Sequence, residues 1–211
     1  MNSNKIKVCG ITDLSIANFC IENNADYLGF VSYKNSPRNI SLNDSKNIIG
    51  KLSGPIFTVA VTVDSKVDDA KKIEDSGFDF IQCHGSETPE YLSMIKKATN
   101  LKIIKAFGIS SESDLANFDD YKELCDFFLM DAKPEGAEMP GGNAKKFDWN
   151  LLKYKNIQKK FFLSGGLDVD NLEIAIKNNV ASFFDVSSGV ESSPGVKDTS
   201  KIREFIDKVK N

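Results

Sequence analysis

Eight short runs along the chain are almost continuously apolar: 5–9 (KIKVC), 26–31 (DYLGFV), 56–63 (IFTVAVTV), 79–83 (DFIQC), 102–107 (KIIKAF), 126–131 (DFFLMD), 160–164 (KFFLS) and 182–187 (SFFDVS). Unbroken apolar runs of this length are how strands buried on both faces read. Amphipathic stretches separate them. Residues 13–23 set Leu14, Ala17, Phe19 and Ile21 among polar neighbours, 168–177 carry Leu172, Ile174, Ala175 and Ile176, and 198–210 align Ile202, Phe205, Ile206 and Val209 in one stripe. Helix starts are signposted. Ser41-Leu42-Asn43-Asp44 reads as a capping box, and Thr88-Pro89-Glu90 as an N-cap followed by proline at the first helical position.

The pattern predicts eight βα units in 211 residues. Eight is the number that closes a parallel sheet into a barrel. A doubly wound sheet uses fewer strands and carries G-x-G-x-x-G after the first, whereas here the first run ends Cys9-Gly10-Ile11-Thr12. No linker or shift in composition interrupts the alternation. The expectation is therefore one α/β domain over 1–211, a (βα)8 TIM barrel. The two longest βα connections, 32–41 and 132–147, are rich in Gly, Pro, Ser, Asn and Lys, as functional loops often are.

Composition narrows the chemistry. With 41% apolar and 27% charged residues the balance is that of a globular protein, and a formal net charge of −3 speaks against a basic nucleic-acid footprint. No apolar run approaches 18 residues, so no membrane span is expected, and the polar start from Met1 to Lys7 lacks a signal-peptide core. Cys9, Cys20, Cys83 and Cys125 form no C-x-x-C pair and read as reduced thiols of a cytoplasmic protein. His84 is the sole histidine, and Arg38 and Arg203 are the only arginines. A histidine-rich metal site is excluded, and a Ser-His-Asp or Cys-His mechanism would have to use His84. Arg203 falls on the charged face of the last helix and reads as solvated.

In such a barrel the working residues gather at the C-terminal strand ends. Those ends carry Cys9, the loop to Arg38, Val63-Asp64, Gln82-Cys83-His84-Gly85, Lys105, Asp131, Ser164-Gly165-Gly166 and Asp185 to Gly189. The glycine turns after strands 7 and 8, Gly165-Gly166 and Ser187-Ser188-Gly189, offer backbone amides to a phosphate, with Pro140-Gly141-Gly142 as a further set. Cys9 reads either as a small buried hydrophobe or as a base whose pKa a nearby phosphate or lysine lowers. Asp131, ending an apolar strand, reads as a loop cap or as an acid kept protonated by desolvation. Strands 1 and 6 would set this thiol and carboxyl across the mouth from each other. Arg38, on a stiff segment after Ser36-Pro37, suits bidentate binding of a carboxylate. His84 reads as a supporting residue. Cys20, Cys83 and Cys125 read as packing.

These residues carry a resemblance. Lys7-Val8-Cys9-Gly10-Ile11-Thr12, Leu28-Gly29-Phe30-Val31, Ser36-Pro37-Arg38-Asn39-Ile40, Gln82-Cys83-His84-Gly85 and Met130-Asp131 are its first blocks. Gly141-Gly142 before Phe147-Asp148-Trp149, Ser164-Gly165-Gly166-Leu167, Asp185 to Glu191 and Pro194 to Asp198 complete it. In this order the chain resembles the phosphoribosylanthranilate isomerase family from Lys7 to Lys208. The resemblance implies a (βα)8 barrel that performs an Amadori rearrangement in tryptophan biosynthesis without metal or organic cofactor. It implies Cys9 as general base, Asp131 as general acid and Arg38 as partner of the anthranilate carboxylate. The phosphate falls to Gly141, Gly142, Gly165, Gly166, Ser188 and Gly189, with Gln82, His84, Asp185 and Ser187 in the substrate site. Two positions depart from the family pattern. Gly141-Gly142-Asn143-Ala144 stands for the usual Gly-Gly-Thr-Gly, and Ala144 restricts positive φ where glycine would not. Cys83 replaces a commoner leucine.

Two alternatives stand: another phosphate-binding barrel enzyme, or a barrel without turnover. A pentose-phosphate epimerase needs metal ligands, typically two histidines. An indole-forming synthase is expected to carry a longer segment before strand 1. A barrel that binds phosphate without turnover would show no acceleration of substrate decay. The small-molecule substrate is the only partner expected, and the chain reads as a monomer.

Overall fold

The computed structural model describes residues 4–133, 147–154 and 157–211. Eight parallel strands close into a barrel in chain order: β1 (Lys5–Cys9), β2 (Tyr27–Val31), β3 (Phe57–Thr62), β4 (Phe80–Cys83), β5 (Lys102–Ile109), β6 (Phe127–Ala132), β7 (Phe161–Leu163) and β8 (Phe183–Val186). Pairing of β8 with β1, Lys5 opposite Phe183 through Val8 opposite Val186, closes the ring. The helices are α1 (Leu14–Glu22), α2 (Leu42–Ile49), α3 (Val67–Asp75), α4 (Pro89–Ala98), α5 (Asn150–Tyr154), α6 (Leu172–Lys177) and α7 (Thr199–Lys210). None is long and apolar enough to cross a membrane.

The signposted starts hold. Ser41 caps α2 by accepting from the Asp44 amide, and Thr88 caps α4 by accepting from Tyr91, with Pro89 as the first helical residue. Two elements differ from the amphipathic pattern. After β5 the chain forms a 3-10 stretch, Glu112–Asp120, gathered around the Asp114 carboxylate, which accepts from the amides of Ser110 and Ser111. After β8, a 3-10 turn at Ser188–Val190 leads into a small antiparallel hairpin, β9 (Glu191–Ser193) and β10 (Val196–Lys197). Its strands are too short and polar to leave a periodicity.

Strand alternation sorts the core into two bodies. Outward residues such as Ile6, Val8, Leu28, Phe128 and Met130 pack under the helices. Inward residues fill the barrel: Tyr27, Val59, Phe80, Ile104, Leu129 and Phe162. At the N-terminal end Tyr27, Phe57, Phe80, Phe127, Phe162 and Phe183 make an aromatic floor with ring centroids 5.2–6.1 Å apart. The same alternation puts Lys7 and Cys9 inside β1, Gln82 inside β4, Asp131 inside β6 and Asp185 beside β1. Apolar filling thus gives way to polar groups at the C-terminal end.

Candidate active site

A cavity opens at that end, lined by Cys9, Arg38, Gln82, His84, Asp131, Ser164, Asp185 and Ser187 together with Val31, Tyr33, Ser36, Val61 and Val63. The thiol of β1 and the carboxyl of β6 therefore share one chamber. Gly29, opposite Cys9 on β2, makes room for the sulfur, because a β carbon there would stand 2.7 Å from Sγ. Gly10, at φ +83°, does the same for Arg38, whose Cδ would lie 2.6 Å from an added β carbon.

Cys9 is buried, and burial pushes its thiol above the ordinary value, although Lys7 pulls the other way. The expected lowering does not occur: removing the thiolate from water outweighs the nearby cation. Lys7 is fully buried; its Nζ donates to Asp185 Oδ1 at 2.7 Å and interacts with Cys9. Burial works against this ammonium, but Asp185 and Cys9 outweigh it and hold its pKa above the usual lysine value. Ser164 Oγ donates to the second Asp185 oxygen at 3.1 Å, extending the chain of contacts to β7.

Across the cavity, Gln82 Nε2 lies 2.6 Å from His84 Nδ1, and His84 Nε2 lies 3.2 Å from Asp131 Oδ2. Asp131 Oδ1 accepts from the Ala132 amide at 2.8 Å. Gln82 Oε1 is buried and has no hydrogen-bond partner among the described residues. His84 thus sits between an amide and the carboxyl. The loop that carries it is fixed by Lys105, whose Nζ donates to Glu87 Oε2 and to the Gly85 carbonyl, both at 2.7 Å.

Arg38 is already engaged. Its Nε and Nη2 donate to the two oxygens of Glu191, each at 2.8 Å, and Lys197 donates to Glu191 Oε1 at 2.7 Å. The carboxylate is buried; burial alone would raise its pKa, but Arg38 and Lys197 together hold it below the ordinary glutamate value. Among the described residues three N–H groups of the guanidinium, two on Nη1 and one on Nη2, meet no acceptor. The hairpin that supplies Glu191 and Lys197 leans on the Arg38 loop at Gly195, where a β carbon would meet the Pro37 carbonyl at 2.7 Å. Lys7, Glu191 and Lys197 are the site groups that residue patterns alone do not pick out. Only Lys7 leaves a signal, sharing the parity of Cys9 on its strand.

The two glycine turns lie side by side. Gly165 and Gly166 take φ +79° and +66°, and Gly189 packs so close to Leu167 that any β carbon would strike its carbonyl. Among the described residues the amides of Gly165, Gly166, Ser188 and Gly189 find no acceptor. Gly141 and Gly142 lie outside the described residues, as do Asn143 and Ala144. Arg203 donates to Asn23 and lies over the Phe19 ring on the outer surface, away from the cavity. Cys20, Cys83 and Cys125 are free, buried and outside the cavity lining. No group of His, Cys, Asp and Glu able to hold a metal ion occurs among the described residues.

The chain is similar to known proteins. Residues 6–208 match the family described as N-(5'phosphoribosyl)anthranilate (PRA) isomerase. The N-(5'-phosphoribosyl)anthranilate isomerase of Agrobacterium fabrum is 41% identical over 206 residues, 97% of this chain and 94% of that protein. The crystal structure of phosphoribosyl anthranilate isomerase from Thermotoga maritima superposes with a TM-score of 0.88 at 36% identity, covering 98% of each chain. A structure of such an isomerase in complex with reduced 1-(o-carboxyphenylamino)-1-deoxyribulose 5-phosphate gives 0.85 at 34% identity, again over 98% of each chain. A match this long, at these identities and on this barrel, decides the assignment: the chain belongs to the N-(5'-phosphoribosyl)anthranilate isomerase family.

Proposed function

We propose that the protein catalyses the Amadori rearrangement of N-(5-phosphoribosyl)anthranilate to 1-(2-carboxyphenylamino)-1-deoxy-D-ribulose 5-phosphate, an isomerisation of L-tryptophan biosynthesis. The observation that supports it most is a thiol and a carboxyl lining one chamber from β1 and β6, beside two turns with unused amides. Asp131 is the general acid. It protonates the furanose oxygen, the C1–O bond breaks toward oxygen, and the anthranilate nitrogen lone pair forms an iminium. Cys9, as thiolate, is the general base and takes the C2 proton. The C2–H electrons form the C1=C2 bond and the iminium pair returns to nitrogen. The resulting enol ketonises as one proton leaves O2 and one joins C1. Cys9 has then gained a proton and Asp131 lost one, and exchange through solvent resets the pair. Substrate and product are isomers, so the step calls for no oxidant, reductant or organic cofactor.

Arg38 meets the anthranilate carboxylate with the edge that Glu191 leaves unused. The amides of Gly165, Gly166, Ser188 and Gly189 take the phosphate, as Gly141 and Gly142 do by resemblance. The free Gln82 Oε1 accepts from a sugar hydroxyl, with His84, Asp185 and Ser187 bordering the ribose. The chain acts in the cytoplasm, where its free thiols stay reduced. It acts as a monomer: among the described residues the exposed large apolar ones, Phe57, Met94, Ile174 and Val196, stand on four different elements. Sedimentation equilibrium at micromolar protein checks this, and a dimer mass would refute it.

The test of function is the fluorescence decay of freshly made phosphoribosylanthranilate with purified protein. Decay faster than buffer is expected, with Cys9→Ala losing most turnover while still binding a product analogue. A wild-type rate in Cys9→Ala would remove the base assignment. No acceleration by the wild-type chain would leave a sugar-phosphate-binding barrel without turnover.

A further inference from the structure

Three lysines are buried around the mouth, and their contacts differ. Lys105 spends its donors on Glu87 and on carbonyls of the loop after β4. Lys197 faces Glu191 and the Ser187 carbonyl. Lys7 has one carboxylate, Asp185, and beyond it the sulfur of Cys9. It is two residues before Cys9 on the same strand, so both side chains enter the barrel, the ammonium one layer below the thiol.

We propose that Lys7 is the positioning cation that makes the Cys9 thiolate attainable, and that Asp185 sets how much of its charge reaches the sulfur. The inference rests on Cys9 as the base. A thiol taken out of water resists ionisation unless a fixed positive charge stands beside it. Around the chamber stand the cations Lys7, Arg38 and Lys197 and the carboxyl groups of Asp131, Asp185 and Glu191, with His84 beside Asp131. Lys7 and Lys197 favour a thiolate on Cys9 and Asp185 opposes it, and Lys7 acts most strongly of the three. Asp185 competes with the sulfur for the same ammonium.

The two members of one ion pair thus have opposite effects. The measurement is the pH dependence of iodoacetamide alkylation of Cys9 in the full-length protein, followed on the Cys9 peptide by mass spectrometry. Lys7→Met is expected to move the thiolate midpoint upward by about one pH unit or more, a fall of about tenfold in alkylation rate near neutrality. Asp185→Asn is expected to move it downward. Lys7→Arg, which keeps the cation, is expected to stay near wild type. A merely structural pair would give both disruptions the same sign, so shifts in one direction, or none, overturn the proposal. Where circular dichroism shows Lys7→Met unfolded, Asp185→Asn decides: a lowered midpoint supports the proposal, and an unchanged or raised one overturns it. Because alkylation involves no turnover, an active Cys9→Ala would overturn the catalytic reading separately.

Discussion

Arg38 is held before any ligand arrives. A guanidinium that gives Nε and Nη2 to Glu191 at 2.8 Å each cannot swing freely, so its remaining N–H groups point in a fixed direction. That is preorganisation, and lysine cannot reproduce it. Arg38→Lys is expected to raise KM for phosphoribosylanthranilate by about tenfold or more, the scale of one lost charge-assisted hydrogen bond at about 1.5–3 kcal/mol. kcat should fall less. Steady-state kinetics with unchanged KM would contradict it. Cys9, Arg38 and Asp131 were legible because strand ends and scarce residue types advertise them. Glu191 was not: it lies 153 residues from Arg38 in sequence, and nothing local marks a glutamate on a three-residue strand. Lys7 was half legible. Its parity with Cys9 points inward, but a lysine in a strand reads as solvent-facing until an anion such as Asp185 is found for it.

Among the elements, β1, β2 and α7 are tied together by Asp26. This carboxylate accepts from Lys5 Nζ at 2.8 Å, the Ile6 amide at 2.9 Å and Lys210 Nζ at 2.6 Å. Burial would raise its pKa, but Lys210, Lys5 and the amide together lower it. A depressed carboxyl contributes stability above its unfolded pKa of about 3.9, and that contribution is lost as pH falls toward the folded value. Lys5 is partly exposed, so solvent screens part of the effect. Asp26→Asn is expected to cost on the order of 1 kcal/mol at pH 7. Urea titrations should show the gap to wild type narrowing below about pH 4. A constant gap would mean that the ion pairs contribute nothing. The strand cores were legible to within a residue or two at most ends, because buried parallel strands are apolar throughout. The 3-10 stretch after β5 and the β9–β10 hairpin were not, since side-chain hydrogen bonds and ion pairs shape them rather than apolar spacing.

At the scale of the whole barrel, stability and chemistry occupy opposite ends. The aromatic floor carries packing, and Phe162 stands within it, 5.2 Å from Tyr27, 5.3 Å from Phe183 and 5.4 Å from Phe127. Phe162→Ala leaves a void among large rings and is expected to cost about 3–5 kcal/mol. Guanidinium denaturation should show that loss, while kcat at a temperature where the variant stays folded changes little. A large fall in kcat with stability unchanged would mean the floor is coupled to the mouth. The closed eightfold order was legible from the count of runs. The direct contact of the last hairpin with the second loop was not, because ring closure brings together residues from both ends of the chain.

That closure bears on synthesis. Cys9 and Arg38 leave the ribosome early, yet Asp185 and Glu191, which hold Lys7 and Arg38, belong to the final strand and the hairpin after it. A nascent chain that has made seven strands carries Cys9, Arg38 and Asp131 but neither anion that orders their surroundings. Its Lys7 and Arg38 remain unpaired cations facing water. The ion pairs that hold Lys7 and Arg38 therefore form only once the last unit is made.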